Sequence, residues 1–252
     1  MPILVPITLF GWIFVAILLF ATMPPRRAVL VAYIAAWMFL PESAISLPGF
    51  PDLTKITATS FGAFAGIFLF DAKSLSALRL SWVDIPALVW CTASCISSFV
   101  NGYGAYDAFS SILHEAFVWG MPYLVGRLYF SSITGIRELA IGIFIGGLIY
   151  VPFCLVELRM SPQFHRWVYG FHPSSFAMTM RYGGYRPMVF MRHGLMCGMW
   201  MASASLIGVW LWHSHSLKKI RNIPVSVLAL VQLGTTIACK SSGAIALLGV
   251  GL

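Results

Sequence analysis

The stretch ILVPITLFGWIFVAILLFAT, residues 3–22, contains no charged side chain and decides the class of the fold. As an α-helix it would extend about 30 Å at about 1.5 Å per residue, which is the thickness of the hydrocarbon core of a bilayer. A helix that is apolar on every side is stable only inside a protein or in lipid. The stretch therefore predicts a transmembrane helix.

Apolar runs of this kind recur along the chain, and the composition agrees with them. Hydrophobic residues make up 59% of the 252 residues and charged residues 10%, with a mean hydropathy of +0.86. Soluble domains carry about 25% charged residues. We expect an all-α, polytopic transmembrane helical bundle that forms a single transmembrane domain over residues 1–252. The net charge of +8 is spread over the connections between apolar runs, which predicts membrane lipids as partners and no nucleic acid.

The apolar runs predict eight spans and the start of a ninth. Their predicted limits are 3–22, 28–40, 56–70, 83–100, 109–124, 139–156, 194–212 and 223–238, with the ninth beginning near residue 243. The ninth run would extend only about 15 Å as a helix, half of a hydrocarbon core. This predicts a chain that is truncated at its C-terminus.

Basic residues follow every odd-numbered span. They are Arg26, Arg27, Lys73, Arg79, Arg127, Arg137, Lys218, Lys219 and Arg221. Cytoplasmic loops carry an excess of Lys and Arg. The pattern therefore predicts an N-terminus outside the cytoplasm.

The connection at residues 157–193 breaks this pattern, because by the same count it lies outside the cytoplasm. Its basic residues are Arg159, Arg166, Arg181, Arg186 and Arg192, and Glu157 is its single acid. Many aromatic residues accompany them, which is typical of a segment at the membrane interface. Either lipid headgroups or a bound anionic substrate would explain so many arginines on this side.

The strongest candidate for chemistry is the sequence RYGGYRP, residues 181–187, followed by Arg192 and His193. Guanidinium groups stay charged at any working pH and bind phosphate or diphosphate bidentately. The alternative interpretation is a tight interfacial turn whose arginines face headgroups. We favour function because the charges lie on the side that the orientation rule disfavours.

His193 and two glycines complete this candidate site. His193 lies at the predicted start of span seven, where it would act as a general base or as a hydrogen-bond donor to an anion. Gly183 and Gly184 would let backbone amides approach an anion closely. The candidate catalytic residues are His193 and Arg186, and the candidate diphosphate-binding residues are Arg181, Arg192, Arg159, Gly183 and Gly184.

Three further ionisable sites have simpler interpretations. Arg127 is interpreted first as a cytoplasmic anchor and second as a support of the site. Glu157 is expected to pair with Arg159 or another loop arginine. His114 and Glu115 lie within span five, where a buried polar pair and a functional pair are equally compatible with the sequence.

Neither metal nor cofactor binding is predicted. The cysteines, which contain no CxxC, are interpreted as small apolar packing residues: Cys91, Cys95, Cys154, Cys197 and Cys239. The sequence contains no Walker loop, no GxGxxG after a strand and no HExxH, GxSxG or Asp-rich metal motif.

These residues resemble the O-antigen ligase and O-antigen polymerase superfamily of bacterial envelope and exopolysaccharide glycan assembly. In that family a large periplasmic connection holds an Arg followed by a His that opens a span, as do Arg186, His193 and Gly194 here. The stretch PYLVGRLYF, residues 122–130, is similar to an upstream Arg-bearing stretch of the family. Residues 240–244, KSSGA, stand in place of its Ser-Arg-Gly-like turn, and Lys240 is therefore taken as a further supporting residue.

The resemblance implies transfer of a glycan from a polyprenyl diphosphate carrier to a glycan or lipid acceptor, without metal or nucleotide. It also implies a multi-pass protein of the bacterial inner membrane with residues 157–193 in the periplasm. Two further classes of protein stay open. One is a transporter or flippase of an anionic or lipid-linked substrate, and the second is an inactive fragment or assembly subunit.

Overall fold

The fold is that of a computed structural model, which describes residues 2–47, 50–79, 81–181 and 183–252. These residues are mostly helical, as predicted. The helices are α1 (Leu4–Thr22), α2 (Pro25–Phe39), α3 (Lys55–Phe70), α4 (Ala72–Ser76), α5 (Ile85–Val100), α6 (Gly104–Glu115), α7 (Met121–Tyr129), α8 (Ile133–Met160), α9 (Phe164–Tyr169), α10 (Gly194–His213), α11 (Val225–Ala238) and α12 (Ser242–Gly251).

Four helical segments of the described chain are long and apolar enough to cross a membrane. They are Leu4–Thr22, Trp82–Val100, Ile133–Met160 and Gly194–His213, and the second includes the 3₁₀ turn that precedes α5. Helices α3, α11 and α12 are apolar but shorter. Each apolar run named from the sequence lies mainly in helices, although the run at 223–238 begins in a short strand, and four of the nine have the length and composition of a full crossing.

The helices group into two compact units. The N-terminal unit comprises Val5–Trp37 and Ser43–Ile136, and the C-terminal unit comprises Met1–Leu4, Met38–Glu42 and Arg137–Leu252. In the N-terminal unit, helix α3 packs closely on α1 through the small residues of its GxxxG pattern. A Cβ atom at Gly62 would collide with Ala16, and one at Gly66 would collide with the ring of Phe20. Small residues at this spacing let helix backbones approach, as the pattern predicts.

The core of the N-terminal unit gathers residues from α1, α2, α3 and α7. Its buried members are Phe20, Ala28, Val29, Ala63, Ile67, Val125 and Tyr129. Helices α6 and α7 are joined by a π-helical turn at Ala116–Gly120, so the predicted span 109–124 lies within one longer helical run.

In the C-terminal unit, α10 is the central helix and packs against α11 and α12. The ring of Phe144 from α8 lies over Gly208 of α10, where any side chain would collide with it. Ala202 of α10 packs with Ala244 and Leu248 of α12. Half of the α10 segment is buried inside the protein, the largest share among the four candidate crossings.

Two short hairpins interrupt the helices. Strands β1 (Met180–Arg181) and β2 (Gly184–Tyr185) pair antiparallel in the connection before α10, and β3 (Lys219–Ile220) and β4 (Ile223–Pro224) pair before α11. The sequence analysis predicted no strands. The first hairpin turns at Gly183, whose positive φ of 67° suits a residue without a Cβ atom.

Hydrogen bonds hold the segment Met38–Glu42 to the rest of the C-terminal unit. The Tyr150 hydroxyl donates to the Met38 carbonyl at 2.8 Å, and the Tyr169 hydroxyl donates to the Phe39 carbonyl at 2.7 Å. Tyr150 is fully buried, so its hydroxyl needs such a partner. The bond of Tyr150 holds this segment to α8, and the bond of Tyr169 holds it to α9, which lies in the connection before α10.

Candidate functional site

Glu157 fixes the connection between α8 and α10, which is called the site loop below (residues 157–193). Its side chain is 1% exposed. One carboxylate oxygen accepts from the Phe164 N–H at 3.0 Å, and the second accepts from the N–H groups of Met188 and Val189 at 2.8 and 2.7 Å. The carboxylate therefore binds the loop backbone at two places. The sequence analysis expected it to pair with an arginine side chain and did not predict these backbone contacts.

Arg186 is buried at the base of the site loop, with 7% of its surface exposed. Its backbone N–H donates to the Thr179 carbonyl at 2.7 Å and extends the pairing of the β1–β2 hairpin. Its Nη2 donates to the Ser241 hydroxyl at 3.3 Å. Two residues that lie 55 positions apart in the chain are thus joined at one place.

Arg186 also lies against the start of α10. A Cβ atom at Gly194 would be 3.1 Å from the Arg186 Cβ atom and 3.3 Å from its Nε atom. One turn later, a Cβ atom at Gly198 would collide with Ser241. The Gly194/Gly198 pair therefore lets Arg186 and Ser241 approach the first turns of α10.

Lys240 reaches the same hairpin from a distant part of the sequence. Its ammonium group lies against Gly184, so that a Cβ atom at that position would collide with it. Lys240 has a positive φ of 53° in the turn between α11 and α12. Lys240, which the sequence analysis took as a supporting residue, is thereby brought next to Gly184 of the candidate site.

His193 is the N-cap residue of α10. Its backbone is extended, and its Nδ1 atom accepts a hydrogen bond from the Met196 N–H at 3.1 Å. In the neutral imidazole the proton then resides on Nε2, which makes Nε2 a donor. This geometry favours the donor role of the two roles that the sequence analysis left open.

Arg186 lies near three further groups that can stabilise an anion: the N-terminus of α10, the Lys240 ammonium group and the Ser241 hydroxyl. Arg186 lies against the N-terminus of α10, where the helix dipole is positive. Lys240 adds an ammonium group through its contact with Gly184, and Ser241 adds a hydroxyl. Such a set of donors is suited to a phosphate or diphosphate group.

The remaining predicted arginines of the loop have exposed side chains. Arg159 lies in the last turn of α8, Arg181 lies in β1, and Arg192 precedes the N-cap residue, whereas Arg186 is buried. Gly183 is exposed at the hairpin turn, and Tyr182 lies outside the described residues. Arg186 thus differs from the other three arginines, because its side chain is buried and hydrogen-bonded whereas theirs are exposed.

Arg127 forms a separate cluster within the N-terminal unit. Its Nε and Nη2 donate to the two carboxylate oxygens of Asp84 at 2.7 and 3.1 Å. The Tyr123 hydroxyl donates to the same carboxylate at 2.5 Å, and the Ser81 N–H donates at 2.7 Å. This bidentate pair ties α7 to the start of α5, so Arg127 acts there as a structural residue.

Aromatic rings line the loop beside the hairpin. The ring centroids of His172 and Phe176 are 5.7 Å apart, and those of Phe176 and Tyr185 are 6.3 Å apart. Phe176 is 39% exposed. Burial, and then the charge of Arg166, lower the pKa of His172, which favours the neutral ring.

Ser241 is the site residue that the sequence analysis missed. Serine is common in turns and at helix N-caps, and its own neighbours carry no signal of a contact with Arg186. The small pair Gly194/Gly198 indicated a close contact but not its partner. Only the fold brings the turn before α12 to α10.

Comparisons of the chain with models of known protein families, with curated proteins and with solved structures find no match. Function is therefore inferred from the residues of the site themselves.

Proposed function

We propose that the protein is a membrane glycan transferase that moves a glycan from a polyprenyl diphosphate carrier to an acceptor hydroxyl, without a metal ion or a nucleotide. The observation that carries the proposal is that Arg186 and Ser241 lie against the first turns of α10, while the ammonium group of Lys240 lies against Gly184 of the same loop. The resemblance of Arg186, His193 and Gly194 to the O-antigen ligase and polymerase superfamily supports the same chemistry.

Arg186 and Lys240 would bind the diphosphate of the carrier. When the glycosidic carbon is transferred, its bond to the phosphate oxygen breaks and negative charge develops on the leaving diphosphate. Fixed cations and helix N–H dipoles stabilise such a charge most when they need no rearrangement. The burial of Arg186 and its bond to Ser241 give this pre-organisation.

His193 would donate a hydrogen bond from Nε2 to the leaving diphosphate. The new bond forms between the acceptor oxygen and the glycosidic carbon, and the acceptor's proton ends on the diphosphate or in water. The Nδ1 atom stays occupied by the Met196 N–H throughout this step. His193 is then a positioned donor whose orientation is set by the helix that it caps.

The aromatic row of His172, Phe176 and Tyr185 would contact the sugars. The C–H faces of sugar rings are apolar and pack on exposed aromatic faces, while the sugar hydroxyls stay in water. Tyr185 directly precedes Arg186 in the chain. A glycan on this row would thus extend from a diphosphate held beside α10.

The proposal includes the location of the site. With eight or nine crossings in the bacterial inner membrane and the N-terminus in the periplasm, the site loop faces the periplasm. The exposed arginines of the loop would then meet headgroups and substrate at the outer face.

The test is release of undecaprenyl diphosphate, because glycan transfer liberates it whatever the sugar or acceptor. Full-length protein in proteoliposomes is incubated with the lipid-linked glycans and acceptors extracted from the cells that make it. We expect release by the natural protein and less than a hundredth of that rate with Arg186→Ala. Arg166→Ala, which removes an exposed arginine of the same loop outside the candidate diphosphate-binding set, is the matched control and should keep most of the activity.

The second candidate function is transport of an anionic or lipid-linked substrate. The observation that favours it is the π-helical turn Ala116–Gly120, since π-helical turns within helices are frequent at functional sites. The glycine-rich stretch at residues 142–147 gives less support, because it lies within the continuous helix α8. Movement of the lipid-linked glycan across the membrane without release of undecaprenyl diphosphate would favour transport and reject transfer.

A further inference from the structure

Three thiols from three segments meet inside the C-terminal unit. Cys154 lies on α8, Cys197 on α10, and Cys239 in the turn after α11, and none has exposed surface. The sulfur atoms of Cys154 and Cys197 are 3.6 Å apart. The thiol of Cys239 interacts with both.

We propose that Cys154 and Cys197 form a disulfide bond when the compartment that the site loop faces is oxidising. The two sulfur atoms already touch, and a disulfide requires about 2.05 Å between them. Both S–H bonds break and one S–S bond forms. The two electrons and two protons pass by thiol–disulfide exchange to a low-molecular-weight disulfide, which is small enough to reach the buried thiols and leaves as two thiols.

The two cysteines lie at opposite ends of the site loop, so a bond between them would link those ends. Cys154 lies one helical turn before Glu157, and Cys197 lies one turn after His193. A disulfide here would close the chain around the whole site loop, which carries Arg186. It would hold the end of α8 to the start of α10, in addition to the hydrogen bonds of Glu157.

Neither simple packing nor metal binding accounts for the thiol cluster as well as a disulfide does. Packing accounts for buried cysteines singly but does not require thiols from three segments to meet. Among the described residues, no group of three or more His, Cys, Asp and Glu side chains is arranged to hold a metal ion. The contact between the two sulfurs favours a covalent pair.

Cys239 is the third thiol of the cluster, and it serves as an internal control for the pairing of Cys154 with Cys197. It precedes Lys240 and Ser241, which contact Gly184 and Arg186. Since the 3.6 Å sulfur–sulfur contact joins Cys154 to Cys197, Cys239 should remain a thiol after oxidation.

The experiment counts thiols in the full-length protein. Cys91 and Cys95 are first replaced by serine, which leaves three cysteines. The purified protein is treated with diamide or with dithiothreitol, denatured and alkylated with a maleimide of known mass. We expect three alkylated thiols after dithiothreitol and one after diamide, with a linked peptide pair that contains Cys154 and Cys197.

Variants and mapping decide the pairing. Cys239→Ser should keep the link, and Cys154→Ser should abolish it. Peptide mapping of the protein with its natural cysteines gives the same answer if a serine variant fails to fold. Three free thiols after diamide, or a link through Cys239, would overturn the proposal. This inference is independent of the proposed function, because it is read from covalent structure and not from glycan transfer.

Discussion

The Nη2 atom of Arg186 donates a 3.3 Å hydrogen bond to the hydroxyl of Ser241, between the site loop and the turn before α12. Both side chains are buried, and both lie against glycines of α10, Arg186 at Gly194 and Ser241 at Gly198. The bond therefore orients the guanidinium group of Arg186 at the N-terminus of α10, where the helix dipole is positive. If that cation binds an anion, Ser241 is a positioning residue for it.

Replacing Ser241 by alanine removes this bond and little volume. A hydrogen bond to a charged group contributes about 1.5 kcal/mol, which corresponds to roughly a tenfold effect. We expect Ser241→Ala to lower the rate of undecaprenyl diphosphate release about tenfold and the melting temperature by a few degrees. The matched control is Ser242→Ala, an exposed neighbour that should have no effect. Equal rates for the two variants would contradict the role of Ser241.

The two functions of His193, capping and donation, can be separated by two substitutions. Asparagine is a good N-cap residue but lacks the Nε2 donor, whereas alanine provides neither. We expect His193→Asn to keep the stability of the protein and lose glycan transfer. His193→Ala should lose transfer and about 1 kcal/mol of stability as well. Thermal unfolding in detergent and the release assay measure the two effects, and transfer by His193→Asn at the natural rate would contradict the proposed donor.

A methyl group at Gly184 would meet the ammonium of Lys240 and displace it. Because the far end of a lysine moves easily, the fold should tolerate the change. We expect Gly184→Ala to weaken binding of undecaprenyl diphosphate several-fold, as measured with the radiolabelled lipid in nanodiscs. Gly243→Ala adds the same methyl group where there is room for it and should bind normally. The proposed contribution of Lys240 fails if both variants bind alike.

Glu157 has a structural role that a test of stability can isolate. Its buried carboxylate accepts from three backbone N–H groups, and an amide would turn its NH₂ group toward one of them. We expect Glu157→Gln to cost about 2–3 kcal/mol and to speed the cleavage of the site loop by trypsin. Asp107→Asn changes an exposed acid and serves as the control. If trypsin cleaves Glu157→Gln no faster than the natural protein, the carboxylate does not hold the loop.

Helices were predictable from the sequence because a bilayer-length apolar run has few alternative stable conformations. The predicted start of span seven at Gly194 coincides with the start of α10, and the end of span four at Val100 coincides with the end of α5. The N-cap position of His193 follows from the same boundary.

The partners of the site residues were not predictable, because they come from distant parts of the chain. Nothing next to Arg186 indicates Ser241, and nothing next to Glu157 indicates the N–H groups of Val189 and Met188. A carboxylate and several arginines in one loop favour an ion pair as the simplest expectation. In the fold the carboxylate instead satisfies backbone donors that burial removes from water.

The side of the membrane on which the site loop lies can be tested with two single cysteines. Helix α10 has 20 residues and would extend about 30 Å, so Ser174 before it and His215 after it should lie on opposite sides. In a cysteine-free background in intact cells, we expect Ser174→Cys to react with a membrane-impermeant maleimide. His215→Cys should react only after the membrane is permeabilised, and this late reaction is also the control for its accessibility. The reverse pattern would place Arg186 and Lys240 on the cytoplasmic side, where the loop arginines are ordinary anchors and a periplasmic glycan donor cannot reach them.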